Sequence, residues 1–340
     1  MFKVLGIHEK EEWKRIIRAA HQFDFYHTYD YHKLALKSGE GTPKLFYYQL
    51  DDQFIALPLL ERVLDEKNKL IDYTSVYGYA GPVYSMTRIS DDLIKGFIQK
   101  IKEYMQGNNA ISVFSRLHPL IKQEHILHQL GNVDLLSKTV TIELENSLDE
   151  QRRKYRKSNK SEINKLRRSV ECKEAETEAE IDAYISIYLD NMKRVEAAER
   201  YFFNKDYFFD LLNAEDFKTK IILAYETGEI MGGAMFIYTD DIVQYHLAGT
   251  AEKYLSKTPM KLILDETRIN SSNNNFKYFH LGGGVGSKED SLFKFKSGFS
   301  DRYDQFKLWK YIVNPEIYNS LVDKRKEKIE DYNYFPLYRG

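Results

Sequence analysis

The residues best suited to chemistry are concentrated in one stretch, "YFHLGGGVGSKEDSLFKFKSGFS", from Tyr278 to Ser300. Gly282, Gly283 and Gly284 follow an aromatic, strand-like run. Glycine reaches backbone angles closed to other residues and lets the chain pass close to a ligand or another strand. Ser287 and Asp290, three positions apart, make a capping arrangement for a short helix, and Gly298 stands where a left-handed cap would end it. Take Leu292 as the origin of that helix, at about 100° per residue. Phe295 and Phe299 then fall within about 60° of it, Lys296 within about 40°, and Lys294 about 200° away. An ammonium on an apolar face is costly unless it snorkels to water or meets an anion. With a glycine-rich loop one turn away, the pattern favours an anion at Lys296.

Gly249, Thr250, Lys257 and Thr258 make a second candidate anion site, where a strand-like run leads through Thr258 and Pro259 into a helix. Thr258 reads as the cap and Pro259 as the first helical position. Such an N-terminus offers unpaired N–H groups and the positive end of the helix dipole, enough to seat a pyrophosphate. An ordinary capped helix after a turn fits the same residues. A third basic element runs from Arg152 to Arg168, with nine basic residues against one acid, and begins with a capping box at Ser147 and Glu150. Read as one helix, it puts Arg152, Tyr155, Arg156 and Lys160 on roughly one face. They suit substrate phosphates or the acceptor end of a tRNA, and equally a solvated face.

These residues need elements to hold them. From Pro43 the runs "PKLFYYQL", "QFIALPLLERVL" and "KLIDYTSVYGYAGPVY" form a three-strand meander, followed by the helix "SDDLIKGFIQKIKEYMQ" and the strand "AISVFSRL". The second half repeats that order with "KTKIILAYE", "EIMGGAMFIYT", "IVQYHLAGT", the helix "TPMKLILDETRINSS" and the strand "FKYFHLGG". Helical segments precede each meander. The chain is therefore one α/β unit used twice. With 340 residues, 43% hydrophobic and 30% charged, it is globular. Its net charge of −1 gives no overall field for nucleic acid, and Cys172 as the only cysteine excludes an intrachain disulfide. No run is long and apolar enough to span a bilayer, and the charged N-terminus lacks a signal-peptide core, so a cytoplasmic protein without stable membrane insertion is expected.

The stretch "LGGGVGSKEDSLFKFKSGFS", together with "DYTSVYGYAGPVY", "YHLAGT" and "FNKDYFFDLL", resembles the FemABX family, and especially its GNAT-fold, acetyltransferase-like branch. The resemblance covers nearly the whole chain. It implies an α/β (α+β) fold of two tandem GNAT-like domains, each a mixed, largely antiparallel sheet flanked by helices. The expected limits are 1–145, with 313–340 returning to it, and 146–312. The segment beyond Ile312, "VNPEIYNSLVDKRKEKIEDYN", is expected to be helical.

What the resemblance implies for function is an acyltransferase moving an acetyl or aminoacyl group to an amine of a sugar or of a lipid-linked, peptidoglycan-type precursor. The donor would be acyl-CoA or aminoacyl-tRNA, and Lys296 would contact substrate phosphate. Tyr26 and His27, with Tyr77, Gly78 and Tyr79, would line the substrate cleft. Attack by an amine needs a neutral nitrogen, for which His27, His246, Asp72 and Asp290 are candidate bases, none singled out by the sequence. No Ser-His-Asp spacing, P-loop or metal-ligand cluster is present, so direct transfer without metal is expected. The remaining alternative is a non-catalytic protein that binds a glycan or nucleotide sugar on the same fold.

Overall fold

The computed structural model describes every residue except Tyr332 and Asn333. In chain order the first elements are β1 (Phe2–Gly6), α1 (Lys10–Arg18), α2 (Tyr29–Lys37), β2 (Thr42–Leu50), β3 (Gln53–Asp65), β4 (Leu70–Thr74), β5 (Val83–Tyr84), α3 (Asp91–Gly107), β6 (Ala110–Arg116) and α4 (Glu124–Leu127). Then follow β7 (Asn132–Glu143), α5 (Leu148–Arg153), α6 (Lys157–Leu166), β8 (Val170–Glu174), α7 (Glu178–Arg194), α8 (Lys205–Leu212), β9 (Lys218–Glu226), β10 (Glu229–Thr239) and β11 (Ile242–Thr250). The last are α9 (Met260–Asn273), β12 (Tyr278–Gly282), α10 (Ser291–Lys296), β13 (Tyr303–Ile312) and α11 (Pro315–Arg325). The chain divides into two compact units, Met1–Ser137 with Gln305–Gly340, and Lys138–Asp304.

In the first unit the strand order is β1-β2-β3-β4-β6-β13, antiparallel except for the parallel pair β4–β6. Both faces of this sheet are covered. Leu93, Phe97, Ile101 and Met105 of α3 pack with Phe46, Leu57, Leu59 and Trp309, while Trp13, Ile16 and Ile17 of α1 pack with Leu45, Tyr47 and Ala56. Ser90 caps α3 by accepting from the Leu93 N–H, as its sequence position implies. The C-terminal segment supplies α11, whose Tyr318 joins Ile111 and Tyr338 in a small cluster of the same unit. The end of the predicted helix, Tyr332 and Asn333, lies outside the described residues.

In the second unit the order is β7-β12-β11-β10-β9-β8, again antiparallel except for one pair, β11–β12. The hairpin between β9 and β10 turns at Thr227 and Gly228, both with positive φ, the primed geometry that matches strand twist. Ile163, Leu262, Ile263, Phe236, Phe279 and Phe299 form its main core. Gly249 of β11 has a reason of its own: a Cβ there would lie 2.9 Å from the Tyr188 Cα, so the glycine lets α7 lie directly against the strand. The same succession of antiparallel meander, helix and parallel closing strand thus occurs in both units, the architecture of two tandem GNAT-like domains.

Candidate functional site

The parallel pair of the second unit parts early. Ile242, Val243 and Gln244 pair with Tyr278, Phe279 and His280; their register ends there, while β11 runs on to Thr250 and β12 to Gly282. The last pair is tied by its side chains, with His280 Nδ1 2.8 Å from Gln244 Oε1. Two residues further, β11 carries a bulge: Met235 pairs with Leu247 and Phe236 with Tyr245, leaving His246 as the extra residue. A bulge bends the strand and re-aims its side chains. The corresponding pair in the first unit stays closed, because the Ser75 and Ala80 N–H groups donate to the Phe114 and Arg116 carbonyls, each at 2.9 Å.

Lys296 occupies this splay. Its Nζ donates to the Gly283 carbonyl on the β12 side at 2.7 Å and lies 5.7 Å from the centre of the Tyr245 ring on the β11 side. The side chain is 7% exposed, and burial pushes its pKa down to about 8, opposed by the nearby Asp290 carboxylate. Lys294 faces out, as the helical spacing predicts. Asp290, rather than Ser287, caps α10: its Oδ1 accepts from the Phe293 N–H at 2.9 Å, while Oδ2 accepts from the Val285 N–H at 3.1 Å. The one carboxylate therefore fastens the glycine loop to the helix that carries Lys296. Gly284 must be glycine here, since a Cβ would stand 2.0 Å from the Lys288 carbonyl and 2.4 Å from Asp290 Oδ1. Gly282 has φ +77°, and at Gly283 a Cβ would press on the Lys138 carbonyl at 3.2 Å.

Gly298 does not end α10 in a left-handed cap; Ser297 is the C-cap, in right-handed geometry. The position is glycine because Asn159 crowds it, with Nδ2 2.5 Å from where a Cβ would be. The Gly298 carbonyl accepts from Asn159 Nδ2 at 3.0 Å and from the Arg156 N–H at 2.9 Å. That second bond falls where the basic segment breaks. The segment is two helices, α5 and α6, rather than one, and the capping box at Ser147 and Glu150 starts the first.

At the break Tyr155 turns inward, 3% exposed, and donates to Asp265 Oδ1 at 2.9 Å. Asp265, fully buried, also receives Arg152 Nη1 at 3.0 Å, Arg167 Nη2 at 2.8 Å and Arg268 Nε at 3.1 Å. Arg152 and Tyr155, read from the sequence as substrate contacts, are thus committed to a buried network, whereas Arg156 is exposed.

The four residues read as a pyrophosphate cradle do not converge on an open one. Gly249 packs against α7, and the Thr250 carbonyl accepts from Arg194 Nη1 at 3.3 Å. Lys257 pairs with Glu226 at 2.5 Å. Thr258, in left-handed geometry at φ 52°, does not cap α9; Pro259 is the N-cap, and the Thr258 hydroxyl donates to Glu162 Oε2 at 3.1 Å. Lys261 reaches the same carboxylate at 2.6 Å, so the start of α9 already holds an anion of its own chain. His246 is half-buried, with Nε2 3.1 Å from the Tyr207 hydroxyl, and burial lowers its pKa to about 4.

The remaining candidates belong to the first unit. Asp72 is fully buried and pairs with Arg62 at 2.8 Å and Arg339 at 2.7 Å, with the Tyr338 hydroxyl donating at 3.0 Å; this ties the C-terminus to β4 rather than presenting a base. His27 is also fully buried and closes a capping box with Asp24; burial and His118 push its pKa down to about 3. Tyr26 is 5% exposed, and its ring fills the space a Gly78 side chain would need, 1.9 Å from the Cβ position. Tyr77 is the outward member, 41% exposed, with the Arg116 guanidinium 5.6 Å above its ring, while Tyr79 packs edge-on against Phe306 at 5.0 Å. Gln123 escaped the sequence reading altogether. Buried, it donates to the Ala80 and Pro82 carbonyls, both at 2.9 Å, and fixes this aromatic loop.

Among the described residues no group of His, Cys, Asp and Glu is arranged to hold a metal ion, and no helix is long and apolar enough to cross a membrane. Residues 153–296 match the acetyltransferase (GNAT) domain, a match that ends on Lys296. No curated protein matches the chain in sequence. Among solved structures it is similar to FemX, with a TM-score of 0.71 and 11% identity over 94% of this chain and 99% of that one. It is also similar to L-PGS from Bacillus licheniformis, with a TM-score of 0.58 and 14% identity over 93% and 96% of the two chains. A tandem GNAT protein from the clavulanic acid biosynthesis pathway gives 0.50 and 9%, over 93% and 99%. The chain thus has a tandem GNAT-like fold similar to that of FemX, and the match to the GNAT domain lies within its second unit.

Proposed function

We propose that the protein is an N-acyltransferase whose reaction takes place in the second unit, in the splay between β11 and β12. The observation that carries this reading is the buried ammonium of Lys296, held between the Gly283 carbonyl and the Tyr245 ring where the strands part. The place where two parallel strands part suits an extended chain bearing amides, which would lie between them as an added strand does. An acyl donor supplies an activated carbonyl there. The acceptor amine forms the new C–N bond as the bond from the carbonyl carbon to the donor's thiol sulfur or ribose oxygen breaks, and the proton lost by the amine ends on that leaving atom. Lys296 has one N–H on Gly283, which leaves two to meet the acyl oxygen as negative charge develops on it. His246, held neutral near pH 7, adds a polar group beside the bulge.

Acyl-CoA is the donor most in keeping with a GNAT domain. One observation favours aminoacyl-tRNA instead: Glu162 fills the start of α9, where a pyrophosphate would otherwise bind. The likeness to FemX and the FemABX-type motif support an amine on a cell-envelope precursor as acceptor, with the reaction in the cytoplasm, where both donors are made.

Thermal unfolding with and without acetyl-CoA separates the donors, because a ligand that binds only the folded state raises its apparent stability. A concentration-dependent rise supports acyl-CoA, and none at millimolar acetyl-CoA shifts the donor to aminoacyl-tRNA. Transfer of labelled acyl groups from each donor to amino sugars and muropeptide precursors then tests the reaction itself. No transfer from either donor, with sugar binding unchanged in Lys296→Met, would leave a binding protein instead.

A further inference from the structure

The basic segment remains outside the splay, and its side chains divide into two sets. Arg152 and Arg167 face inward to Asp265, and Lys154 pairs with Glu143 and Asp301. Arg153, Arg156, Lys157, Lys160, Lys165 and Arg168 form no ion pair with a carboxylate among the described residues; Lys160 donates to the Arg153 carbonyl, at 3.0 Å. On α6 the buried residues are Asn159, Ile163 and Leu166, and the opposite arc carries Lys157, Ser161, Asn164 and Lys165, all exposed.

Nearby acids are mostly engaged elsewhere. Glu150 closes the capping box with Ser147, Glu162 holds Thr258 and Lys261, and Glu266 holds Arg167. Asp149 alone adds a carboxylate to the shallow pocket formed with Arg152, Arg153 and Lys160. From Arg152 to Arg168 nine basic residues and one acid stand in a chain whose total charge is −1, so the rest of the molecule is net acidic. Positive charge is therefore concentrated in this segment, which favours a negative partner there.

We propose that the exposed face of α5 and α6 docks the protein on an anionic lipid bilayer. Two observations favour lipid over RNA. Tyr155 is the only aromatic residue between Arg152 and Arg168, and it is buried on Asp265, so the face offers no ring on which a base can stack. The outward arc of α6 has no apolar side chain either, which suits reversible attraction to a sheet of phosphates without insertion. Docking requires neither donor nor acceptor, so it stands or falls apart from the acyl-transfer reading.

The test is co-sedimentation of the whole protein with vesicles of phosphatidylcholine alone, and with vesicles containing about a third phosphatidylglycerol, at low and high salt. Binding to the anionic vesicles only, lost at high salt, is expected. The variant Arg153→Gln/Lys157→Gln/Lys165→Gln, checked for unchanged thermal unfolding, should lose roughly 100-fold in partitioning. Lys67→Gln/Lys95→Gln/Lys102→Gln, which removes as much charge from the first unit, should keep its binding. Equal loss in both variants, equal binding to uncharged vesicles, or binding of tRNA with no binding of anionic vesicles would each overturn the proposal.

Discussion

The Lys296 ammonium donates to the Gly283 carbonyl at 2.7 Å across the gap where β11 and β12 part, in a position only 7% exposed. A charge so placed costs stability, as its lowered pKa of about 8 records. Replacing it with methionine removes that cost and forfeits one hydrogen bond. Lys296→Met should therefore be more stable at pH 7, by about 2 kcal/mol, while acyl transfer falls at least about 100-fold. Denaturant unfolding and a transfer assay on one preparation check both halves. A variant less stable than the parent and equally active would assign Lys296 a purely structural place.

The same group sets an expectation for pH. Its folded pKa lies below the usual lysine value, so between about 8 and 10.5 the unfolded chain holds a proton that the folded chain has lost, and this group's contribution to stability rises with pH through that window. If the ammonium acts on the acyl oxygen, kcat/KM must fall as pH passes 8. Lys296→Arg, which keeps its charge, should flatten that fall whatever its absolute rate. A rate that instead climbs through pH 8 would make Lys296 a base rather than an electrostatic partner.

How much of this was legible beforehand depended on how local the cause was. The strands β9, β10 and β11 match the runs "KTKIILAYE", "EIMGGAMFIYT" and "IVQYHLAGT" residue for residue, because alternation and turn residues act within a few positions. The inward aim of Lys296 followed from helical spacing alone. The roles of Gly298 and Gly249 did not, since each is fixed by a distant partner, Asn159 in one case and Tyr188 in the other. The break at Arg156 was equally hidden. Charge density suggested one helix, whereas the buried Asp265, more than a hundred residues further along, turns Tyr155 inward. Asp72 looked like a base because its partner Arg339 lies at the opposite end of the chain.

Asp265 accepts from three arginines and a tyrosine while itself fully buried, and Arg268 beside it is 1% exposed. Removing the carboxylate leaves Arg268 buried without its counter-charge. Asp265→Ala should thus lose about 3–5 kcal/mol, and Asp265→Asn somewhat less because the amide oxygen still accepts. Urea unfolding measures both. A loss under about 1 kcal/mol for Asp265→Ala would show that the arginines find other partners or water.

Acid should weaken the first unit through its histidines. His27 and His32 are fully buried, and burial lowers their pKa values to about 3 and about 4. Both lie below the value of an exposed imidazole, so as pH falls below 6.5 the unfolded chain takes up protons that the folded chain refuses, and stability drops. At pH 5 each histidine has removed about 2 kcal/mol relative to pH 7. His32 bonds the Thr28 carbonyl through Nδ1 at 2.8 Å and packs 5.1 Å from Trp13, a setting glutamine can share without titrating. His32→Gln should therefore narrow the difference in unfolding free energy between pH 7 and pH 5, whatever it does to the value at pH 7. An unchanged difference would mean that His32 is not the group taking up the proton and that the acid sensitivity lies with His27 or with carboxylates.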